Sequence, residues 1–106
     1  MNKITFSHGG VDYCLEYTKR SVKAMEDRGF APSKILEAPM TYLPELFAGA
    51  FLANHKFTKR EVIDEMYVAM GDKRELVNAL IEMYNEPIAA LTEDAPEGNA
   101  IAWTKA

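Results

Sequence analysis

An α+β fold is predicted for this chain of 106 residues: an N-terminal β-hairpin packed on a bundle of about four helices, followed by a flexible acidic C-terminal tail. Three features carry the prediction. Apolar residues alternate through residues 3–17 on either side of Gly9-Gly10, the period of half-buried strands. Apolar residues recur at three- and four-residue spacing through residues 19–28, 59–70 and 73–91, the period of one helix face. Between these lies Thr41 to His55, TYLPELFAGAFLANH, where Leu43, Leu46, Phe47, Phe51 and Leu52 leave almost no polar side. A helix over 41–54 with that composition must be covered from several directions, which makes it the expected centre of one compact domain over residues 1–91.

The hairpin registers itself. A two-residue Gly9-Gly10 loop, with both glycines free to take positive φ, pairs Phe6 with Tyr13, Ile4 with Leu15 and Lys3 with Glu16. Apolar pairs then share one face and opposite charges meet on the other, an agreement that a slip of one residue destroys. Such a hairpin is marginal alone and needs the helices behind it.

The first helix, about 19–28, turns Val22 and Met25 inward and stops at Gly29, after which Phe30 packs back on Met25. Pro32 and Pro39 bracket a loop with one short turn, tethered by Ile35 and Leu36. The central helix is expected to start with Thr41 as cap and Pro44 in the first turn, where a missing N–H costs least. Its Gly49, Ala50 and Ala53 form a narrow stripe that lets another helix approach closely. Thr58-Lys59-Arg60-Glu61 has capping-box spacing and opens the next helix, which Gly71 ends. Asp72 is expected to cap the last helix after a sharp corner, and Pro87 to kink or stop it by removing the bond to the Met83 carbonyl.

Residues 92–106 lose the helical period in Glu93-Asp94-Ala95-Pro96-Glu97-Gly98-Asn99 and end on an alternating Ile101-Ala102-Trp103. Those two apolar residues either add a strand to the hairpin edge or await a partner.

Charge and composition exclude several functions. The formal net charge is −4, with nine Lys/Arg against six Asp/Glu in residues 1–60 and three against ten in 61–106. An acidic second half argues against a nucleic-acid surface, which needs clustered cations. No apolar run reaches the roughly 20 residues that span a bilayer, so no membrane segment is expected. The single Cys14 and the absence of a secretory leader point to a reducing cytoplasm. His8 and His55 lack metal-ligand spacing, Cys14 sits mid-strand without an activating group, and Glu82 and Glu86 read as a solvated helix face. No phosphate-binding or dinucleotide motif occurs, so no catalytic residue, cofactor or metal is expected, and the chain reads as a non-enzyme.

The order of hairpin, Gly-Phe helix end, Leu43-Pro44-Glu45-Leu46-Phe47-Ala48-Gly49-Ala50-Phe51, the Gly71-Asp72-Lys73 corner, Leu80 to Ile88 and the terminal Ile101-Ala102-Trp103 resembles small phage and prophage tail assembly chaperones. The resemblance spans nearly the whole chain. It implies an assembly factor of a long-tailed phage, working in the bacterial host cytoplasm, that holds the tape-measure protein and brings tail-tube subunits to it. It supplies no active-site residues. It also leaves open a longer frameshifted product and self-association into a homo-oligomer. The expected partner-binding surface is an adaptable set of side chains, Tyr67, Met70, Tyr84, Ile88 and Leu91, with Ile101 and Trp103 in the tail. The competing reading of the acidic composition is a small inhibitor or adaptor that binds a basic host protein.

Overall fold

Two consecutive glycines in the left-handed region, at φ 59° and 78°, turn the chain between β1 (Ile4–His8) and β2 (Val11–Leu15). The computed structural model describes residues 3–96 and 98–105; Met1, Asn2, Glu97 of the acidic run and Ala106 lie outside the described residues. The strands pair antiparallel with Ile4 opposite Leu15 and Phe6 opposite Tyr13, the predicted register. The Phe6 and Tyr13 rings stack at 5.2 Å on the apolar face, and Lys3 meets Glu16 at 3.6 Å on the other.

Helix α1 (Lys19–Asp27) opens on a reciprocal cap. Thr18 Oγ1 accepts from the Ser21 N–H, and the Thr18 N–H donates to Ser21 Oγ, so the buried Ser21 is fully engaged. It closes as its sequence predicts: Gly29 takes φ 90°, its N–H reaches the Glu26 carbonyl, and the Phe30 N–H reaches that of Met25. The short α2 (Lys34–Glu37) supplies the expected turn between the prolines, with Ile35 on the core. Leu36 is a correction: it is exposed, because a single helical turn cannot aim two adjacent side chains at one surface.

The central helix α3 runs Pro39–Gly49 rather than 41–54. Ala38, not Thr41, is the residue before its first turn, Pro39 opens that turn, and Pro44 therefore falls inside the helix. Past Gly49 the N–H groups of Ala50, Phe51 and Leu52 bond three residues back instead of four, tightening the chain into turns. The hairpin takes the carbonyls this leaves. Tyr17 Oη donates to the Leu46 carbonyl, and the Glu16 N–H donates to that of Ala50 at 3.2 Å.

Helices α4 (Arg60–Ala69) and α5 (Lys73–Ala89) follow, the latter tightening into a 3-10 turn at Ala90–Thr92. Neither predicted cap forms. Lys59 rather than Thr58 precedes α4, and Asp72 sits in the left-handed region at φ 50° with no side-chain bond to α5. The corner is held instead by Lys73, whose Nζ donates to the Val68 and Met70 carbonyls at 2.8 and 2.9 Å and so satisfies the end of α4. Pro87 does not stop α5, which runs two residues further to Ala89; so close to the end, the proline removes only the bond to the Met83 carbonyl from an otherwise complete helix.

One continuous core results. Leu46, Phe47 and Phe51 sit at its centre among Tyr13 and Leu15 of the hairpin, Val22 and Met25 of α1, Ile63 and Met66 of α4, and Leu80 and Met83 of α5. Each such side chain contributes roughly 1.5–3 kcal/mol by leaving water. Helix α3 touches α1, α2, α4 and α5. The small-residue stripe works within the chain, since a Cβ on Gly49 would meet Met25 Sδ and Cε at 2.3 Å.

Candidate protein-binding surfaces

The residues expected to form one partner surface divide into four settings. Tyr84 is a correction: it is 1% exposed, with its ring edge-on to Tyr17 at 5.4 Å and to Phe30 at 5.3 Å. The helical period places it on the same side of α5 as Leu80, and that side faces the hairpin's end and α1. It is core and unavailable to a client. Its hydroxyl is buried without a hydrogen-bond partner among the described residues, and burial, with the nearby Glu26 carboxylate, raises its pKa.

Tyr67 and Met70 are half-buried at the end of α4, with the Tyr67 ring 5.1 Å from that of Phe47. Burial raises the Tyr67 phenol pKa as well. Ile88 and Leu91 stand at the opposite end of α5, 37% and 73% exposed. At 1.5 Å per residue the helix carries them about 22 Å from the α4–α5 corner. Ile101 and Trp103 are 89% and 81% exposed in a segment without helix or strand. Sequence spacing brings Tyr84 and Ile88 together as helical neighbours, but only tertiary packing shows that one faces in and the other out.

Two contacts escaped the sequence. His55 and Asn54, read as an isolated histidine and a helix end, cover the outer edge of β2. The Cys14 N–H donates to His55 Nε2 at 2.9 Å, and Asn54 Nδ2 donates to the Cys14 carbonyl at 3.1 Å and to Glu16 Oε2 at 2.8 Å. The imidazole thus meets Cys14 through the main chain, and the half-buried thiol is free. Arg60 ties α4 to α3, with Nη1 3.0 Å from Glu45 Oε1 and Nε 2.8 Å from Asp64 Oδ1. The Arg60–Asp64 pair has helical i,i+4 spacing, but nothing local in the sequence signals the contacts to Glu45 or to β2, whose partners lie fifteen or more residues away.

Concavities of about 420 and 1200 Å³ flank the turn after α3. The wider one is open and mixes apolar Val11 and Phe57 with Arg20, Arg28 and Lys56. Among the described residues no cluster of His, Cys, Asp or Glu could hold a metal ion, and no helix is long and apolar enough to cross a membrane.

The chain belongs to the family described as a domain of unknown function (DUF5055), whose model matches residues 1–106. No curated protein and no solved structure matches it.

Proposed function

We propose that this family member is a non-enzymatic tail assembly chaperone of a long-tailed phage, which binds the tape-measure protein and helps recruit tail-tube subunits to it in the host cytoplasm. The observation that carries the reading is the end of α5. With the core filled by other residues, Ile88 on its last turn is partly exposed, and Leu91 on the 3-10 turn that follows is largely in solvent. Large apolar side chains grouped at one place on a small domain favour a protein partner. A long helical client offers a matching apolar stripe, and a helix laid across these turns would hide both surfaces from water. Tyr67 and Met70, at the end of α4 beside the α4–α5 corner, suit a second contact on the same extended client rather than the same patch. The resemblance of residues 43–51 and 80–88 to tail chaperones points the same way.

Co-expression with a tape-measure protein tests this. The unaltered chain should keep the client soluble and co-purify with it. Ile88→Asp with Leu91→Asp should lose the client while the chain's own melting temperature stays within a few degrees. Undiminished client solubility with the double variant would remove this surface from the mechanism.

A further inference from the structure

The two edges of the hairpin are treated differently. In an antiparallel pair, residues that do not bond each other turn their N–H and C=O groups outward. Cys14 does this on β2 and is met by His55 and Asn54, while the next outward amide, Glu16, is met by Ala50. Thr5, opposite Cys14, and Ser7, opposite Asp12, turn theirs outward on β1. Among the described residues no main-chain or side-chain group bonds them, and both residues are exposed. This edge also lacks the usual guards against pairing, since Ile4–His8 contains neither lysine nor proline. Beside it the apolar face is unfinished: Ile4 and Phe6 are only half-buried, whereas their partners Leu15 and Tyr13 are buried.

The same chain carries a segment of matching pattern that is docked on none of the described residues. Ile101 and Trp103 alternate with Ala100 and Ala102, and both large side chains are in solvent. We propose that residues 100–104 of a second copy of this chain add to β1 as an antiparallel third strand, with Ala102 opposite Thr5 and Ala100 opposite Ser7. That register satisfies the outward groups of Thr5 and Ser7. It sets Ile101 beside Phe6 and Trp103 beside Ile4 on the apolar face, and leaves only the small alanines with Thr5 and Ser7 on the other. A register shifted by one residue would turn Ile101 and Trp103 back into water. Reciprocal exchange gives a closed two-fold dimer with two identical docked strands.

Trp103 is the sole tryptophan, so its fluorescence reports the docking directly. Sedimentation and emission are measured together over a concentration series. A dimer should form with rising concentration, accompanied by a blue shift of Trp103 emission, and both should vanish in Trp103→Asp. Thr5→Pro removes an N–H that points away from β2, so the hairpin should survive while docking is lost. Mixing Thr5→Pro with Trp103→Asp should restore one docking and hence a heterodimer. If Thr5→Pro unfolds, hydrogen exchange of the Thr5 and Ser7 amides in the unaltered chain replaces it: slow in the dimer, fast in Trp103→Asp. A monomer at every concentration overturns the proposal, whether Trp103 emission is that of exposed indole or is blue-shifted by docking on its own chain. So does a dimer that both Thr5→Pro and Trp103→Asp leave intact.

Discussion

Tyr17 Oη donates to the main-chain carbonyl of Leu46 at 2.5 Å, joining the end of the hairpin to the last turn of α3. The carbonyl is free because the Ala50 N–H bonds Phe47 rather than Leu46 as the helix tightens. With Glu16 bonded to Ala50 next door, two consecutive residues fasten the sheet to the central helix. Tyr17→Phe keeps the ring and removes the donor, stranding a buried carbonyl. A loss of about 1–3 kcal/mol is expected, read as a lower urea midpoint with unchanged slope. An unchanged midpoint would mean that the bond contributes nothing net.

The same phenol governs the alkaline side of the stability curve. Burial, with Tyr84 nearby, raises the Tyr17 pKa well above its ordinary value, and Tyr67 and Tyr84 are raised too. A phenol whose folded pKa exceeds its unfolded one stabilises fully below the unfolded value, about 10, and loses that contribution as pH rises from there toward the folded value. Denaturation midpoints should therefore fall beginning near pH ~10. Tyr17→Phe should make that decline shallower, and superimposable alkaline limbs would rule its ionisation out as a cause.

Tyr84→Phe should behave in the opposite sense. Its hydroxyl is buried without a partner among the described residues, so the fold already carries the cost of drying it. Deleting it while keeping the ring against Tyr17 and Phe30 is expected to be neutral or to stabilise by up to about 1–3 kcal/mol. Thermal melts of the two Tyr→Phe variants side by side give the comparison. A loss at Tyr84 equal to that at Tyr17 would reveal a partner for this hydroxyl.

The pattern of successes follows the range of each interaction. The hairpin register was legible because alternation, Gly9-Gly10 and the Lys3–Glu16 pair all act within fifteen residues of chain or less. The Gly29-Phe30 stop was legible for the same reason. Caps read from spacing alone failed at Thr58 and Asp72, because spacing does not fix the backbone at the cap: α4 starts one residue later, after Lys59, and Asp72 sits in the left-handed region at φ 50° while Lys73 reaches back to Val68 and Met70. Tyr84 was misplaced because helical periodicity defines faces without saying which of two adjoining apolar positions meets the core. His55 was missed because the strand edge it serves lies in another part of the sequence.

Gly49 and Met25 should be energetically coupled. A methyl group at Gly49 would meet the Met25 thioether at 2.3 Å, and forcing that side chain aside costs about 1–3 kcal/mol. The gain in helix propensity, about 1 kcal/mol, offsets only part of this. Gly49→Ala should thus destabilise the parent chain. In a Met25→Ala background, where the thioether is gone, the same change should stabilise by filling the space. The sign reversal in a double-mutant cycle is the measurement, and equal effects in both backgrounds would show that the close approach carries no energy.

His55→Ala removes the acceptor for the Cys14 N–H and the ring that packs on Tyr13 at 5.1 Å. The β2 edge would then carry one unbonded amide, that of Cys14, while Asn54 still meets the Cys14 carbonyl and Ala50 the Glu16 amide; the outward groups of β1 are already unbonded among the described residues. A loss of about 1–3 kcal/mol is expected for the stranded amide, read as a lower thermal midpoint. His55→Gln separates the two contributions, because its carbonyl can accept from Cys14 while the ring is absent. It should lose clearly less than His55→Ala. Equal losses would assign the effect to ring packing and leave the β2 edge bond without energetic weight.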